Sequence, residues 1–146
     1  GAGTVTTLEE LEDAHQAGAA FIVTPVVVPE IITECVRRGL PIFPGAFTPS
    51  EIHTAHRLGA TMVKLFPAHR LGSGYLRDIK APLSSIPILA TGGITPENIG
   101  DYTQAGAEGF GIGSPLFSKE HIAAQDWNWL RNRAAQFCSA WSSTRN

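Results

Sequence analysis

Two cysteines, one methionine and no long apolar run mark this 146-residue chain. Cys35 and Cys138 fall on predicted helices. Two thiols in a chain of this length do not make a disulfide framework, so a reducing, cytoplasmic setting is the expectation. No apolar stretch approaches the roughly 20 residues a membrane span needs. Charge is also scarce: 11 basic against 13 acidic residues give a formal net charge of −2. That balance offers neither nucleic acid nor an anionic membrane as a partner. No His, Cys, Asp or Glu cluster has metal-ligand spacing, so no metal and no cofactor are expected. The single methionine is Met62, and the chain opens on Gly1-Ala2-Gly3 without a basic and apolar leader. The expectation is a fragment, a processed product or a trimmed form, with no signal peptide.

What is present is a strand–helix alternation within one domain, residues 1–146. The apolar fraction of 43% suffices for a core. Strand signals run over Ala2 to Val5, Phe21 to Thr24, Pro41 to Phe43, Thr61 to Phe66, Ile86 to Ala90 and Gly109 to Ile112. Helix starts lie between them. Thr7 and Glu10, and Thr48 and Glu51, have capping-box spacing. Pro29, Pro49 and Pro96 suit first helical positions. Gly18, Gly39, Gly59 and Gly106 suit helix C-terminal caps. The repeat is a βα unit of roughly 20 residues, which implies a parallel sheet, open or closed as a barrel. A last helix, about 125–143, places Trp127, Leu130, Ala134, Phe137, Cys138 and Trp141 on one packing stripe. Trp129 lies off the stripe and marks a contact surface.

Lys64 carries the most chemical information. In the run Met62-Val63-Lys64-Leu65-Phe66-Pro67-Ala68 it shares a strand face with Met62 and Phe66, while Val63 and Leu65 point the other way. Apolar surroundings disfavour the ammonium and lower its pKa. A neutral amine in that setting is a nucleophile able to form an imine with a ketone. The alternative is a strand-end lysine whose stem rests on apolar surface while its ammonium reaches water.

Two Gly-rich segments follow successive strands: Thr91-Gly92-Gly93-Ile94 and Gly111-Ile112-Gly113-Ser114. Bare backbone N–H groups at such turns cradle anions. In a TIM barrel the loops after the last two strands commonly hold phosphate. Either motif alone is weak; two of them downstream of an apolar lysine strand form a stronger constellation.

Six segments, in order, resemble the bacterial 2-keto-3-deoxy-6-phosphogluconate / 4-hydroxy-2-oxoglutarate aldolases. They are Gly1 to Val5, Phe21 to Pro25, Pro44 to Glu51, Lys64 to Ala68, Thr91 to Ile94 and Gly111 to Ser114. The similarity reaches about Phe117. It implies an α/β fold of the (β/α)₈ TIM-barrel family, of which about six βα units are present and an N-terminal quarter is absent. It implies a class I aldolase that cleaves a 2-keto-3-deoxy acid to pyruvate and an aldehyde, commonly as a homotrimer. Lys64 matches the Schiff-base lysine. Thr4 and Pro25 match pyruvyl-pocket positions, Phe66 packs beside the imine, and Thr91 lies near the substrate. Gly92, Gly93 and Ser114 match the phosphate-binding positions.

The chain departs from that pattern in two places. The family's catalytic glutamate and carboxylate-binding arginine have no matching positions. Val26-Val27-Val28 stands where a more polar or Gly-containing loop is expected, which either alters substrate preference or only makes a drier wall. Glu51 reads as a helix cap, and His69 and Arg70 as solvated loop residues near the pocket mouth. His121 has no obvious partner. The competing readings are an incomplete enzyme that binds phosphate or pyruvate without efficient turnover, and another phosphate-binding βα barrel.

Overall fold

A computed structural model describes residues 1–144. Six parallel strands lie in chain order: β1 (Ala2–Gly3), β2 (Ile22–Thr24), β3 (Ile42–Ala46), β4 (Val63–Leu65), β5 (Ile88–Thr91) and β6 (Gly109–Gly111). Each pairs with its predecessor, and β1 and β6 are the sheet edges. The strands connect through α1 (Leu8–Gln16), α2 (Pro29–Arg37), α3 (Pro49–Arg57), α4 (Gly72–Lys80) and α5 (Ile99–Gln104). Beyond β6 come α6 (Lys119–Ala123) and α7 (Trp127–Ser142). All six expected strands exist, several shorter than their apolar runs.

Strand parity divides the sheet. Ile22, Ile42, Val63, Leu65, Ile88 and Ala90 are buried on the face that the helices cover. They meet Leu11, Ile31, Ile52, Leu76 and Ile99 from α1 to α5. Each fully buried Ile or Leu contributes about 1.5–3 kcal/mol relative to exposure. Val23, Phe43, Lys64, Leu89 and Thr91 turn to the opposite face and line a cavity of about 370 Å³. The sheet thus curls around a lumen.

Local signals explain the helices. Both capping boxes form: Thr7 with Glu10 opens α1, and Thr48 with Glu51 opens α3. Pro29 and Pro49 are the first residues of α2 and α3. Pro96 is not a first helical residue, because α5 begins at Ile99. The Thr95 N–H instead bonds the Asn98 side chain at 2.9 Å, which holds that segment as a turn. Gly18, Gly39, Gly59 and Gly106 all have positive φ (80°, 66°, 96° and 102°), the left-handed conformation that ends helices.

The α7 stripe is partly corrected. Phe137 is buried and Trp141 packs edge-on against Phe110, 5.5 Å between centroids. Trp127 is 58% exposed and belongs to no core. Cys138 is exposed, at the rim of a groove between α7 and the β6 side. Trp129 stacks flat on His121 at 3.9 Å, and His121 Nδ1 lies 3.3 Å from Asp126, so this histidine does have partners. Proximity of α6 and α7 creates that pair; no spacing signal announces it.

Candidate active site

Lys64 occupies the centre of β4, registered between Gly45 of β3 and Leu89 of β5. Its side chain enters the lumen among Phe21, Val23, Phe43 and Leu89. Burial lowers its pKa below the ordinary 10.5. Its Nζ stands 4.6 Å from the centroid of the Phe66 ring. The ring's negative face favours the ammonium and opposes part of the desolvation effect. No carboxylate pairs with Lys64 or lines the cavity among the described residues. Burial outweighs the ring contact and favours the free amine.

Thr91 ends β5 in the same lumen. Its Oγ1 is buried with no hydrogen-bond partner among the described residues. A buried unpaired hydroxyl is costly, and in a cavity it is available to a ligand. Gly111, registered opposite Thr91, makes room for it: a Cβ there would collide with the Thr91 side chain.

The remaining sequence candidates gather at the carboxyl ends of the strands. Thr4 follows β1 with φ 62°, a rare conformation for a β-branched residue, and is exposed. Pro25 follows β2, half-buried, and its carbonyl presses against Gly45. Phe66 follows β4 and is 40% exposed. Gly92 and Gly93 follow β5 with φ of 96° and 70°. Ser114 lies in the turn after β6, exposed. Thr4, Pro25, Phe66, Gly92, Gly93 and Ser114 do not line the Lys64 cavity itself; each lies within three residues after the carboxyl end of a strand. Val26 is 55% exposed, and the Thr24 hydroxyl donates to its carbonyl at 2.6 Å.

The β5 loop is fastened from both sides. A 3₁₀ turn, Ala68–Arg70, follows β4, and the His69 N–H donates to the Gly92 carbonyl at 3.2 Å. The His69 side chain packs so closely on Gly93 that a Cβ there would lie 2.5 Å from its own Cβ. His69 and Arg70 are exposed, as a solvated loop requires. The Asn98 amide donates to the Gly93 carbonyl at 2.9 Å. The N–H groups of Gly93 and Ser114 have no acceptor among the described residues. Free N–H groups in such turns suit an anion.

Glu51 is a cap. It accepts from the N–H groups of Phe47 and Thr48 at 2.9 and 2.8 Å, and it does not line the lumen. No group of three or more His, Cys, Asp or Glu residues is placed to hold a metal among the described residues. No helix there is long and apolar enough to cross a membrane.

Sequence reasoning named the segments that hold Gly45 and Gly111 but not the close contacts these two residues allow, and it overlooked the inward row of Phe21, Val23, Phe43 and Leu89. Alternation along each strand carried the signal for that row.

These features have close counterparts. A 2-dehydro-3-deoxy-6-phosphogalactonate aldolase of Escherichia coli strain K12 is 37% identical over 97% of this chain and 67% of its own length. A solved structure described as native KDPGal is 36% identical, superimposes with a TM-score of 0.91, and is matched over 99% of this chain and 68% of its own. A KDPG aldolase from Legionella pneumophila, described with pyruvate captured as a covalent carbinolamine intermediate, is 26% identical with a TM-score of 0.80. It is matched over 94% of this chain and 66% of its own. The chain thus spans about two thirds of the length of these relatives. The family model for KDPG and KHG aldolase matches residues 1–132, which include the Lys64 strand and both Gly-rich loops. With nine-tenths of its residues inside that match, this chain belongs to the KDPG and KHG aldolase family.

Proposed function

We propose that the protein cleaves a 2-keto-3-deoxy sugar acid to pyruvate and an aldehyde, with Lys64 as the Schiff-base lysine. The observation that carries this is the amine in an apolar lumen, depressed in pKa by burial and without an ionic partner among the described residues. The free amine attacks the C2 ketone, and loss of water gives an imine. The protonated imine accepts the electron pair of the breaking C3–C4 bond while the C4 hydroxyl gives its proton to solvent, so an enamine forms and C4 leaves as the aldehyde carbonyl. Protonation at C3 and hydrolysis release pyruvate and restore the amine. A covalent pyruvate intermediate described for the Legionella pneumophila relative supports this assignment.

Phe66 shields one side of the imine, Thr91 offers its unpaired hydroxyl to the substrate, and Thr4 and Pro25 border the pyruvyl end. Gly92, Gly93 and Ser114 hold the substrate phosphate, so remote binding energy orients the reacting carbon. The setting is a (β/α)₈ barrel in a cytoplasmic homotrimer. A cage described as built from symmetric oligomeric domains, 36% identical, supports association.

Borohydride reduction in the presence of pyruvate, followed by peptide mass spectrometry, tests the assignment. The adduct is expected on Lys64; an adduct on Lys80 or Lys119, or none, refutes it. A second reading rests on the lack of any lining carboxylate among the described residues: the chain forms the imine but transfers protons slowly. Exchange of pyruvate methyl protons without aldol turnover is its signature.

A further inference from the structure

Arg133 sits on α7, the first residue beyond the segment that the family model matches. Its Nε donates to the Pro115 carbonyl at 3.2 Å. Its Nη1 donates to Gln136 at 2.8 Å and stands 3.9 Å from the Glu97 carboxylate. The guanidinium lies over the Phe137 ring, 5.3 Å from its centroid. Pro115 directly follows Ser114. Glu97 directly precedes Asn98, the residue that holds the Gly93 carbonyl.

We propose that Arg133 is a positioning residue that braces the β6 loop against the β5 loop, so that the N–H groups of Gly93 and Ser114 converge on one phosphate. This rests on the phosphate site proposed above. The two loops start side by side, because Thr91 and Gly111 are registered partners on adjacent strands. The β5 loop is pinned locally by His69 and Asn98. The β6 turn is closed on itself by the N–H groups of Leu116 and Phe117 on the Gly113 carbonyl, at 2.9 and 3.0 Å. Only the Arg133 bond ties that turn, residues 113–117, to a neighbouring element through a polar contact among the described residues. The Ser114 N–H therefore takes its direction from α7. The Glu97 contact is long and solvent-facing, so the Pro115 bond is the main arm.

The test is a titration with inorganic phosphate, read by NMR at the Gly93 and Ser114 amides. In the wild-type protein both amides are expected to follow one binding isotherm. Arg133→Met keeps an apolar stem on Phe137 and removes every donor. Phosphate affinity should fall about tenfold, equal to about 1.4 kcal/mol, with the Ser114 response reduced most. Pyruvate trapping on Lys64 should be unchanged. In turnover, kcat/KM for a phosphorylated keto acid should fall while that for an unphosphorylated substrate is spared, a split that general loss of stability does not produce. Arg133→Lys keeps the charge on a single nitrogen and should weaken phosphate about threefold. Wild-type phosphate affinity in either folded variant overturns the brace and leaves the phosphate site standing. Silence of both amides in the wild-type protein overturns the phosphate site and the brace with it.

Discussion

The Pro25 carbonyl rests where a side chain on Gly45 would begin. This contact joins the loop after β2 to the inward face of β3, directly beside Lys64 in the register. A Cβ at Gly45 would meet backbone rather than a movable side chain. Gly45→Ala is expected to destabilise the protein by about 1–3 kcal/mol, as overpacked sites do. Chemical denaturation should show a lower midpoint at unchanged slope.

Lys64 links stability to pH. Its folded pKa lies below 10.5 because burial disfavours the charge. Below the folded value both states are protonated and the folded protein bears the whole desolvation cost. Between the folded pKa and 10.5 the unfolded chain binds more protons, so stability rises with pH. Lys64→Met should be more stable than wild type at neutral pH and should lack that alkaline rise. Melting curves collected from pH 7 to 10.5 measure both effects, and trapping of pyruvate should vanish.

Thr48 and Glu51 behave oppositely. The Glu51 carboxyl is held below its ordinary 4.5, first by the Thr48 N–H, then by the Phe47 N–H and the Thr48 hydroxyl. A depressed carboxylate contributes stability above its unfolded pKa and loses it as pH falls through the folded one. Thr48→Ala removes the hydroxyl that accepts from the Glu51 N–H at 3.3 Å and donates to its carboxylate at 2.8 Å. About 1 kcal/mol should be lost at neutral pH, and less in acid, as seen by urea titrations at pH 7 and pH 3.

Phe137 is the one α7 residue buried in the core. Phe137→Ala should cost about 3 kcal/mol. Amide exchange should accelerate along α7 while the amides of β3 and β4 stay protected, because the helix packs mainly on α5.

The sequence disclosed the sheet more fully than the site. A repeat of strand and helix, with Gly after four of the helices, implies a parallel sheet, because each cap and helix end acts within four residues of itself; strand order came only with the structure. Lys64 was legible because a cation in an apolar alternation is conspicuous. Contacts between distant segments were not. His69 against Gly93, Thr91 against Gly111, and Arg133 against Pro115 depend on how neighbouring loops meet, and no local spacing encodes them. Trp127 misled because helical periodicity gives a stripe but not its length: the stripe reaches the solvent before it reaches the first turn of α7. Strand lengths were overread for a related reason. Apolar residues continue past the last registered pair, as Phe66 does after Leu65.

Each strand pairs with the one laid down about twenty residues earlier, from Ala2 with Ile22 to Leu89 with Gly109. Closing so short a span costs little chain entropy, and no strand must wait for a distant partner. The sheet can therefore assemble in the direction of synthesis, each βα hairpin docking on the last as it clears the ribosome.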